Sequence, residues 1–231
     1  MSRPPIAISV AKMQAIDAAA IDTLGIPRLL LMEHAGLAVA RAVRTLAHPS
    51  SAPLFVCCGM GFNGGDGLAA ARHLHDWGYR LTLLLAGRLA ELRAEPATYA
   101  AVLQRLGLSI TELTDTGPWP QVERALDACS LVIDALLGIG AMGAVREPMA
   151  SLIARLNQSG KPILSVDIPS GLDGDTGRAQ GVAVNAAVTV TFGLPKQGCV
   201  TGDGPAHVGS LIVDSITIPR TLLEPPAKAH R

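Results

Sequence analysis

Aromatic side chains are scarce in this sequence, and neither sign of charge is in excess. Of the 231 residues only 3% are aromatic, and 19 basic side chains balance 19 acidic ones. The scarcity of rings disfavours an aromatic-rich all-β barrel. A formal net charge of zero gives no electrostatic support to nonspecific binding of nucleic acid or of anionic membranes. We therefore expect a small-molecule ligand, and neither a nucleic acid nor a membrane as partner.

Long apolar runs and paired cysteines are also missing. No run approaches the roughly 18 residues that cross a bilayer. The start, MSRPPIAISVAKMQAID, lacks the apolar stretch of a signal peptide, and Asp17 and Asp22 argue against a transit peptide. These absences predict a cytoplasmic protein. The tail EPPAKAHR is expected to be frayed.

The four cysteines show neither a disulfide pattern nor a metal-binding one. No C-x-x-C pair and no histidine at zinc spacing occurs among the four, which are Cys57, Cys58, Cys129 and Cys199. Cys57 and Cys58 lie in an apolar run, so we expect them to be inert thiols of the core.

The chain does contain many aliphatic residues and glycines. Hydrophobic residues make up 49% of it and glycine occupies 24 positions, which favours a tightly packed α/β domain. Helical periodicity predicts helices over 10–24, 29–46, 67–77, 96–106, 119–128 and 148–157. Short apolar runs predict strands at 53–58, 80–86, 131–137 and 162–168. This alternation indicates βαβ units and a parallel sheet.

The last part of the chain has a different pattern. Residues 182–193 and 209–218 are strand-like, with no helical pattern between them. We therefore expect a mostly parallel sheet with extra strands near the C-terminus. The length suits one domain, and the chain has no internal repeat or linker. We predict a single domain over 1–231, ordered from about residue 8 to about residue 220.

A glycine cluster follows the first predicted strand. Gly59, Gly61 and Gly64 satisfy G-x-G-x-x-G between a strand and a helix, a context that suits a pyrophosphate resting on backbone N–H groups. The second strand, however, ends in AGR (86–88) and lacks the acidic residue that holds the adenosine ribose in NAD-dependent dehydrogenases. The pattern therefore disfavours an ordinary dehydrogenase.

Two polar residues of this cluster have alternative interpretations. Asp66 is either the N-cap of the following helix or a ligand contact. Asn63 is either a turn residue with a left-handed backbone or a ligand. Five glycines within 59–67 favour a functional loop.

Two further strand ends carry carboxylates. Asp134 interrupts an otherwise apolar run, and a buried carboxylate is costly unless it is paired, hydrogen-bonded or bound to a metal. Asp167 closes the next strand, at the edge of the sheet where open α/β folds bind ligands. Gly138 and Gly140 let the backbone approach a ligand closely.

Hard oxygen donors from these adjacent loops suit a hard cation: Asn63, Asp134, Asp167 and Ser170. With only two carboxylates among them, a monovalent ion fits at least as well as magnesium.

Two other motifs have simpler interpretations. Asp173 and Asp175 suggest a calcium loop, but no acidic residue stands at its far end, so we interpret them as solvated turn residues. His73 and His75 are expected on the exposed face of the helix after the glycine cluster. No nucleophile elbow is present.

Five segments give the sequence a specific resemblance to a known family. They occur in order along the chain: GIPRLLLMEHAG (25–36), NGGDGLAAARHL (63–74), IDALLGIG (133–140), SVDIPSGLDGDTG (165–177) and TFGLPKQG (191–198). In these segments the chain resembles the NAD(P)H-hydrate epimerases, the YjeF N-terminal domain family that includes the apolipoprotein A-I-binding protein. The resemblance implies a Rossmann-like α/β/α fold of three layers and a homodimer.

The resemblance also implies an activity. Such an isomerase interconverts the R and S forms of hydrated NADH and NADPH, here called NADHX and NADPHX, which carry a hydroxyl at C6 of the nicotinamide ring. The S form passes to a separate NAD(P)H-hydrate dehydratase. The alternative is a catalytically silent dinucleotide- or protein-binding module of the same fold.

The resemblance carries over to individual positions. It implies substrate contacts by Asp167 and by two loops: Phe62, Asn63, Gly64, Gly65 and Asp66, and Gly138, Ile139, Gly140, Ala141, Met142, Gly143 and Ala144. It implies a potassium ion held by Asn63, Asp134 and Ser170.

For catalysis, one carboxyl group that alternately donates and accepts a proton suffices at a carbon bearing both a hydroxyl and a ring nitrogen. Asp167 is our candidate for that group, with electrostatic support from Lys196.

One residue departs from the family pattern: Phe62 stands where the family has an asparagine, so any contact made by that amide is lost.

Overall fold

Seven strands and eight α-helices make up the part of the chain that the computed structural model describes, residues 6–115 and 117–224. The predicted frayed tail lies almost wholly outside these residues, as does the very start of the chain. The helices are α1 (Val10–Ala18), α2 (Arg28–Leu46), α3 (Phe62–Asp76), α4 (Ala94–Arg105), α5 (Trp119–Ala128), α6 (Met149–Gln158), α7 (Gly204–Val208) and α8 (Arg220–Leu223). The strands are β1 (Leu54–Cys58), β2 (Leu81–Ala86), β3 (Ile110–Leu113), β4 (Leu131–Ala135), β5 (Ile163–Val166), β6 (Val188–Phe192) and β7 (Ser210–Asp214).

The strands form one sheet in the order β3-β2-β1-β4-β5-β6-β7, and each neighbouring pair is parallel. The α/β prediction and the extra strands at one end of the sheet are confirmed. β3 was not predicted, because it is a short edge strand with one buried residue and therefore has no continuous apolar run.

Helices cover both faces of the sheet, which gives three layers. Alternate strand residues point to opposite faces, so Cys58 packs in the cluster with α1 to α4, whereas Cys57 packs in the cluster with α5 and α6. Both thiols are free and buried, as expected for core cysteines. Burial raises the pKa of each thiol, which keeps it protonated.

Several element boundaries differ from the sequence prediction, most of all at α3, at the last two strands and at the first helix. α3 begins at Phe62 rather than at residue 67, so the glycine cluster is largely helical. The strand-like run 182–193 pairs only over Val188–Phe192, and a short helix, α7, precedes β7. The α-helical part of the first predicted helix ends at Ala18, and a π-helical turn follows over Ala19–Thr23. Apolar periodicity places each element but not its ends, because local caps and packing decide those.

The strand order reverses between β1 and β4. From β1 the chain moves outward through β2 and β3, and it then returns to β4 on the other side of β1. Loops leaving the carboxyl ends of β1 and β4 therefore diverge, and the crevice between them is where open α/β sheets bind ligands. No helix within the described ranges is both long enough and apolar enough to cross a membrane.

Candidate active site

A cavity of about 580 Å³ opens at this reversal point. The walls come from the loops after β1 and β4, the ends of β5 and β6, and the helices α1, α2 and α3. Its polar lining residues include Asp17, Asp22, Arg28, Asn63, Asp66, Asp167 and Lys196. Most of the other lining is apolar, and a concave pocket of this kind with a few converging polar groups suits a small organic ligand.

The glycine cluster builds one wall because it allows α3 to pack very closely. A Cβ on Gly64 would lie 1.9 Å from the Gly59 carbonyl oxygen, and a Cβ on Gly65 would lie 2.7 Å from the Met32 sulfur. Both glycines therefore serve the packing of α3 against its neighbours. Neither is among the described residues that line the cavity.

Asn63 has no internal partner for its side chain. It is 9% exposed and lines the cavity, and neither its amide oxygen nor its amide nitrogen makes a hydrogen bond to any residue that the structure describes. The side chain lies against Gly138, where a Cβ would be 3.4 Å from the amide oxygen. A buried amide without protein partners is rare in folded proteins, so its position in the cavity wall suits contact with a ligand.

Asp134 is fully buried and ties the ends of β4 and β5 together. One carboxylate oxygen accepts hydrogen bonds from Ser165 Oγ (2.8 Å) and Ser170 N (3.0 Å), and the other accepts from Ser170 Oγ (2.5 Å) and Leu136 N (3.3 Å). Burial raises the pKa of Asp134, and the hydrogen bonds from Ser170 and Ser165 oppose that rise. Four bonds fill the acceptor capacity of a carboxylate. Asp134 and Ser170 lie behind the cavity wall rather than on it.

Asp167 and Lys196 form a buried ion pair at the floor of the cavity. The Lys196 ammonium donates to Asp167 Oδ1, to Thr191 Oγ1 (3.1 Å) and to the Phe192 carbonyl oxygen (3.0 Å). These three bonds use all of its N–H groups. Asp167 Oδ1 also accepts from Phe192 N at 3.2 Å, whereas Oδ2 has no hydrogen-bond partner in the described part of the chain. Oδ2 is therefore the oxygen available to a ligand.

The backbone at Asp167 contributes to this placement. Its φ of 65° is left-handed, a conformation that Asp and Asn adopt more readily than most residues. The chain turns sharply there, immediately after β5, so the side chain returns toward Thr191 and Phe192 on β6.

Two more carboxyl groups share the cavity with this pair. Burial raises the pKa of Asp66 well above its usual range, and the nearby charges of Asp167 and Asp17 add to the rise. Burial also raises the pKa of Asp17 to about 6, although Lys196 opposes that change. Asp66 lies in the second turn of α3, and the N-cap residue of this helix is Gly61. The N-cap interpretation of Asp66 is therefore wrong.

The loop after β4 contributes only in part. Gly138, Ile139, Gly140 and Ala141 line the cavity, as the resemblance implied. Met142 is 93% exposed, and Met142, Gly143 and Ala144 are not among the described lining residues.

The other motifs lie away from the cavity. Asp173 accepts hydrogen bonds from Thr176 N (2.7 Å) and Thr176 Oγ1 (2.8 Å), which makes it a turn residue. Those bonds lower the pKa of Asp173. His73 is half-buried, rather than exposed, because it lies 2.9 Å from Glu33 on α2.

A known family model matches most of the chain. Residues 28–198 match the family model described as YjeF-related protein N-terminus. That segment contains β1 to β6 and most of the cavity. The chain belongs to this family.

Individual YjeF-related relatives extend the match. An NAD(P)H-hydrate epimerase from Limosilactobacillus fermentum is 40% identical over 207 residues, which cover 90% of this chain and 95% of that protein. A bifunctional NAD(P)H-hydrate repair enzyme from Pyrobaculum aerophilum is 41% identical over 86% of this chain, but the match spans only 39% of the larger protein. The crystal structure of a yeast protein aligns with a TM-score of 0.81 at 28% identity, covering 94% of this chain and 91% of the yeast one.

The YjeF-related site includes residues that the sequence patterns did not indicate. Asp17 and Arg28 line the cavity although they precede the first strand. A signal for Asp17 was present: it interrupts the apolar stripe of α1 four residues after Met13, on the same helical face. Neither residue follows a strand, so the patterns at strand ends do not indicate them.

The pKa of Asp17 predicts a pH-dependent stability difference in this YjeF-related domain. Its value in the folded protein is raised from 3.8 to about 6, so ionisation of Asp17 destabilises the fold increasingly as the pH rises from about 4 to 6 and fully above that range. Asp17→Asn should therefore raise the free energy of unfolding at pH 8 by about 1 kcal/mol and should change it little at pH 4. This value is smaller than the full pKa shift would give, because solvent screens the partly exposed carboxylate. Urea unfolding at the two pH values measures this, and equal effects at both would contradict it.

Proposed function

We propose that this protein is an NAD(P)H-hydrate epimerase that interconverts the R and S forms of NADHX and NADPHX. The observation that carries the proposal is the oriented Asp167–Lys196 pair at the floor of a cavity at the strand-order reversal. Its family membership and its similarity to an epimerase of nearly the same length support it.

Asp167 can supply the proton transfers of epimerisation. The protonated carboxyl group donates to the C6 hydroxyl, and the lone pair of the ring nitrogen then expels water and leaves a planar iminium. Water adds to the opposite face and returns a proton to the Asp167 carboxylate, so the reaction is balanced and needs no oxidant. Such general acid–base catalysis contributes about 10²- to 10⁴-fold.

Lys196 has a positioning and electrostatic role in this mechanism. All its N–H groups are engaged by protein acceptors and it is 1% exposed, so it does not donate a proton to the substrate. It holds Asp167 Oδ1 and thereby leaves Oδ2 free for a ligand in the cavity. Its fixed positive charge balances the carboxylate in each half of the reaction.

Potassium is part of the proposal, with Asn63, Asp134 and Ser170 as its ligands. The unpaired amide oxygen of Asn63 fits such an ion well. Asp134 fits if the Ser170 hydroxyl donates to the Leu137 carbonyl oxygen, 3.3 Å away, instead of to Asp134. The ion would supply a fixed positive charge beside the loop after β4.

The potassium proposal predicts a cation-specific effect on stability. At equal ionic strength, potassium chloride should raise the Tm above its value in sodium chloride by about 2–4 °C, the shift that ~1 kcal/mol of ligand binding gives in a domain of this size. Asn63→Ala should abolish the difference, whereas Asn185→Ala, at an exposed asparagine, should retain it. The same Tm in both salts for the wild type would rule out the ion.

The proposal also includes partners and location. The substrates are NADHX and NADPHX, the S form is consumed by a separate dehydratase, and the protein acts as a cytoplasmic homodimer. Size-exclusion chromatography with light scattering tests the dimer.

The activity itself is tested by mixing the protein with pure S-NADPHX and following the R form by NMR. Exchange well above the spontaneous rate is the expected result. Exchange at the spontaneous rate would favour the alternative, a catalytically silent module of the same fold.

A further inference from the structure

A stacked pair of side chains stands at the rim of the cavity. The Arg28 guanidinium lies over the Phe62 ring, with 4.5 Å between its carbon and the ring centroid. Arg28 is the first residue of α2 and Phe62 the first of α3, and both line the cavity. Phe62 is 50% exposed, so the stack faces solvent and the cavity mouth.

Arg28 is the accessible cation of the described cavity lining. The other lining cation, Lys196, is buried and fully engaged by protein acceptors. Asp17 and Asp22 also line the cavity, yet within the described ranges Arg28 makes no ion pair within 4.0 Å. Its charge opposes the rise in the pKa of Asp17, but its guanidinium N–H groups have no direct ion-pair partner in the described ranges and remain available beside the ligand site.

The stack fixes the orientation of this group without using its donors. A guanidinium over an aromatic ring contacts the ring with its face, and its N–H groups point outward in its own plane. That planar array matches two oxygens of one phosphate group. Phe62 therefore holds Arg28 ready for an anion at the rim, and holding it in advance lowers the entropic cost of binding.

The backbone around the stack also favours an anion. The first intrahelical bond of α3 runs from Gly65 N to the Gly61 carbonyl oxygen, so the N–H groups of residues 62–64 precede it. No side chain of residues 6–115 or 117–224 caps this end of α3. These groups and the helix dipole add positive potential on the same side as Arg28.

We propose that Arg28, oriented by Phe62, is a phosphate-binding subsite of the epimerase and contacts a phosphate group of the dinucleotide. The inference rests on the proposed function, since it takes the substrate to be a hydrated dinucleotide. The phosphate is either in the diphosphate bridge, common to NADHX and NADPHX, or the 2′-phosphate that NADPHX alone carries. The position of the pair at the rim places the phosphate outside the cavity and the nicotinamide ring inside, toward Asp167.

Kinetics of Arg28→Ala test the subsite. We expect KM to rise by about tenfold or more, as for loss of a charge-assisted hydrogen bond, with kcat changed by less than about threefold, because Arg28 takes no part in the proton transfer. A rise for both substrates assigns the diphosphate, and a rise for NADPHX alone assigns the 2′-phosphate. Unchanged KM for both substrates would overturn the proposal.

Two further variants separate orientation from charge. Phe62→Leu should raise KM by a smaller factor, about threefold, because the charge stays while its platform is lost. The matched control is Arg44→Ala, which removes a guanidinium from the same helix that also stacks on an aromatic ring, Trp77 at 5.2 Å, outside the cavity. Arg44→Ala should leave KM unchanged, and an equal rise there would assign the effect to general charge.

A binding measurement keeps the two proposals distinguishable. Titration calorimetry with NADP⁺, and with nicotinamide riboside as a ligand without phosphate, does not require turnover. Weaker NADP⁺ binding by Arg28→Ala, with riboside binding unchanged, supports the subsite even if the wild-type protein shows no epimerase activity. Equal NADP⁺ affinity for wild type and Arg28→Ala contradicts it, whether or not epimerisation is observed.

Discussion

Asp167→Asn should lower kcat for epimerisation by about 10²- to 10⁴-fold, the usual contribution of a positioned acid–base group. Asparagine keeps the size of the side chain and tolerates the left-handed φ of 65° at this position. Its amide oxygen can still accept from Lys196 and Phe192 N, as Asp167 Oδ1 does. The group that faces the cavity then becomes an amide that cannot exchange a proton. The loss should therefore be in kcat rather than in KM.

The measurement is the rate of R–S exchange followed by NMR, or by coupling to a dehydratase. A matched control is Asp203→Asn, since Asp203 is exposed and its side chain caps no helix. Near-wild-type circular dichroism and Tm would show that the Asp167 variant is folded. A folded Asp167→Asn protein with full activity would exclude Asp167 as the acid–base group.

Gly64→Ala should destabilise the fold by about 3 kcal/mol or more, at the upper end of the usual cost of overpacking. The added Cβ would stand 1.9 Å from the Gly59 carbonyl oxygen and 2.8 Å from the Gly59 nitrogen. These are backbone atoms just after β1, so α3 itself must move. Alanine is favoured over glycine inside a helix by only about 1 kcal/mol, which cannot offset the collision.

The control for this substitution is Gly61→Ala, in the same cluster, where a Cβ would meet nothing within 4 Å. Urea denaturation of both variants measures the difference in the free energy of unfolding. If Gly64→Ala and Gly61→Ala were equally stable, the close approach of α3 to β1 would be incorrect. A stable Gly64→Ala protein with raised KM would instead support a direct substrate contact at Gly64.

Strand ends were the most informative feature of the sequence, because parallel strands bring their carboxyl ends to one edge. The patterns after β1, β4 and β5 pointed to Asn63, Gly138 and Asp167, and the fold brings these three residues to one cavity. The sequence pattern indicated less clearly which glycines serve the close packing of α3. Gly64 and Gly65 belong to the same glycine cluster as Asn63, but they face the protein interior rather than the cavity.

The sequence by itself determined the α/β class, the parallel sheet and the family, because apolar periodicity and motif order depend on residues near one another in the chain. Tertiary structure alone decided the distances and hydrogen bonds within the site, and which residues complete it. It set the Lys196 ammonium against Asp167 Oδ1, engaged Asp134 with four hydrogen-bond donors behind the wall, and brought Asp17 and Arg28 across from the N-terminal helices. These contacts join residues far apart in the chain, so their distances and electrostatic coupling arise only when the sheet and its covering helices assemble.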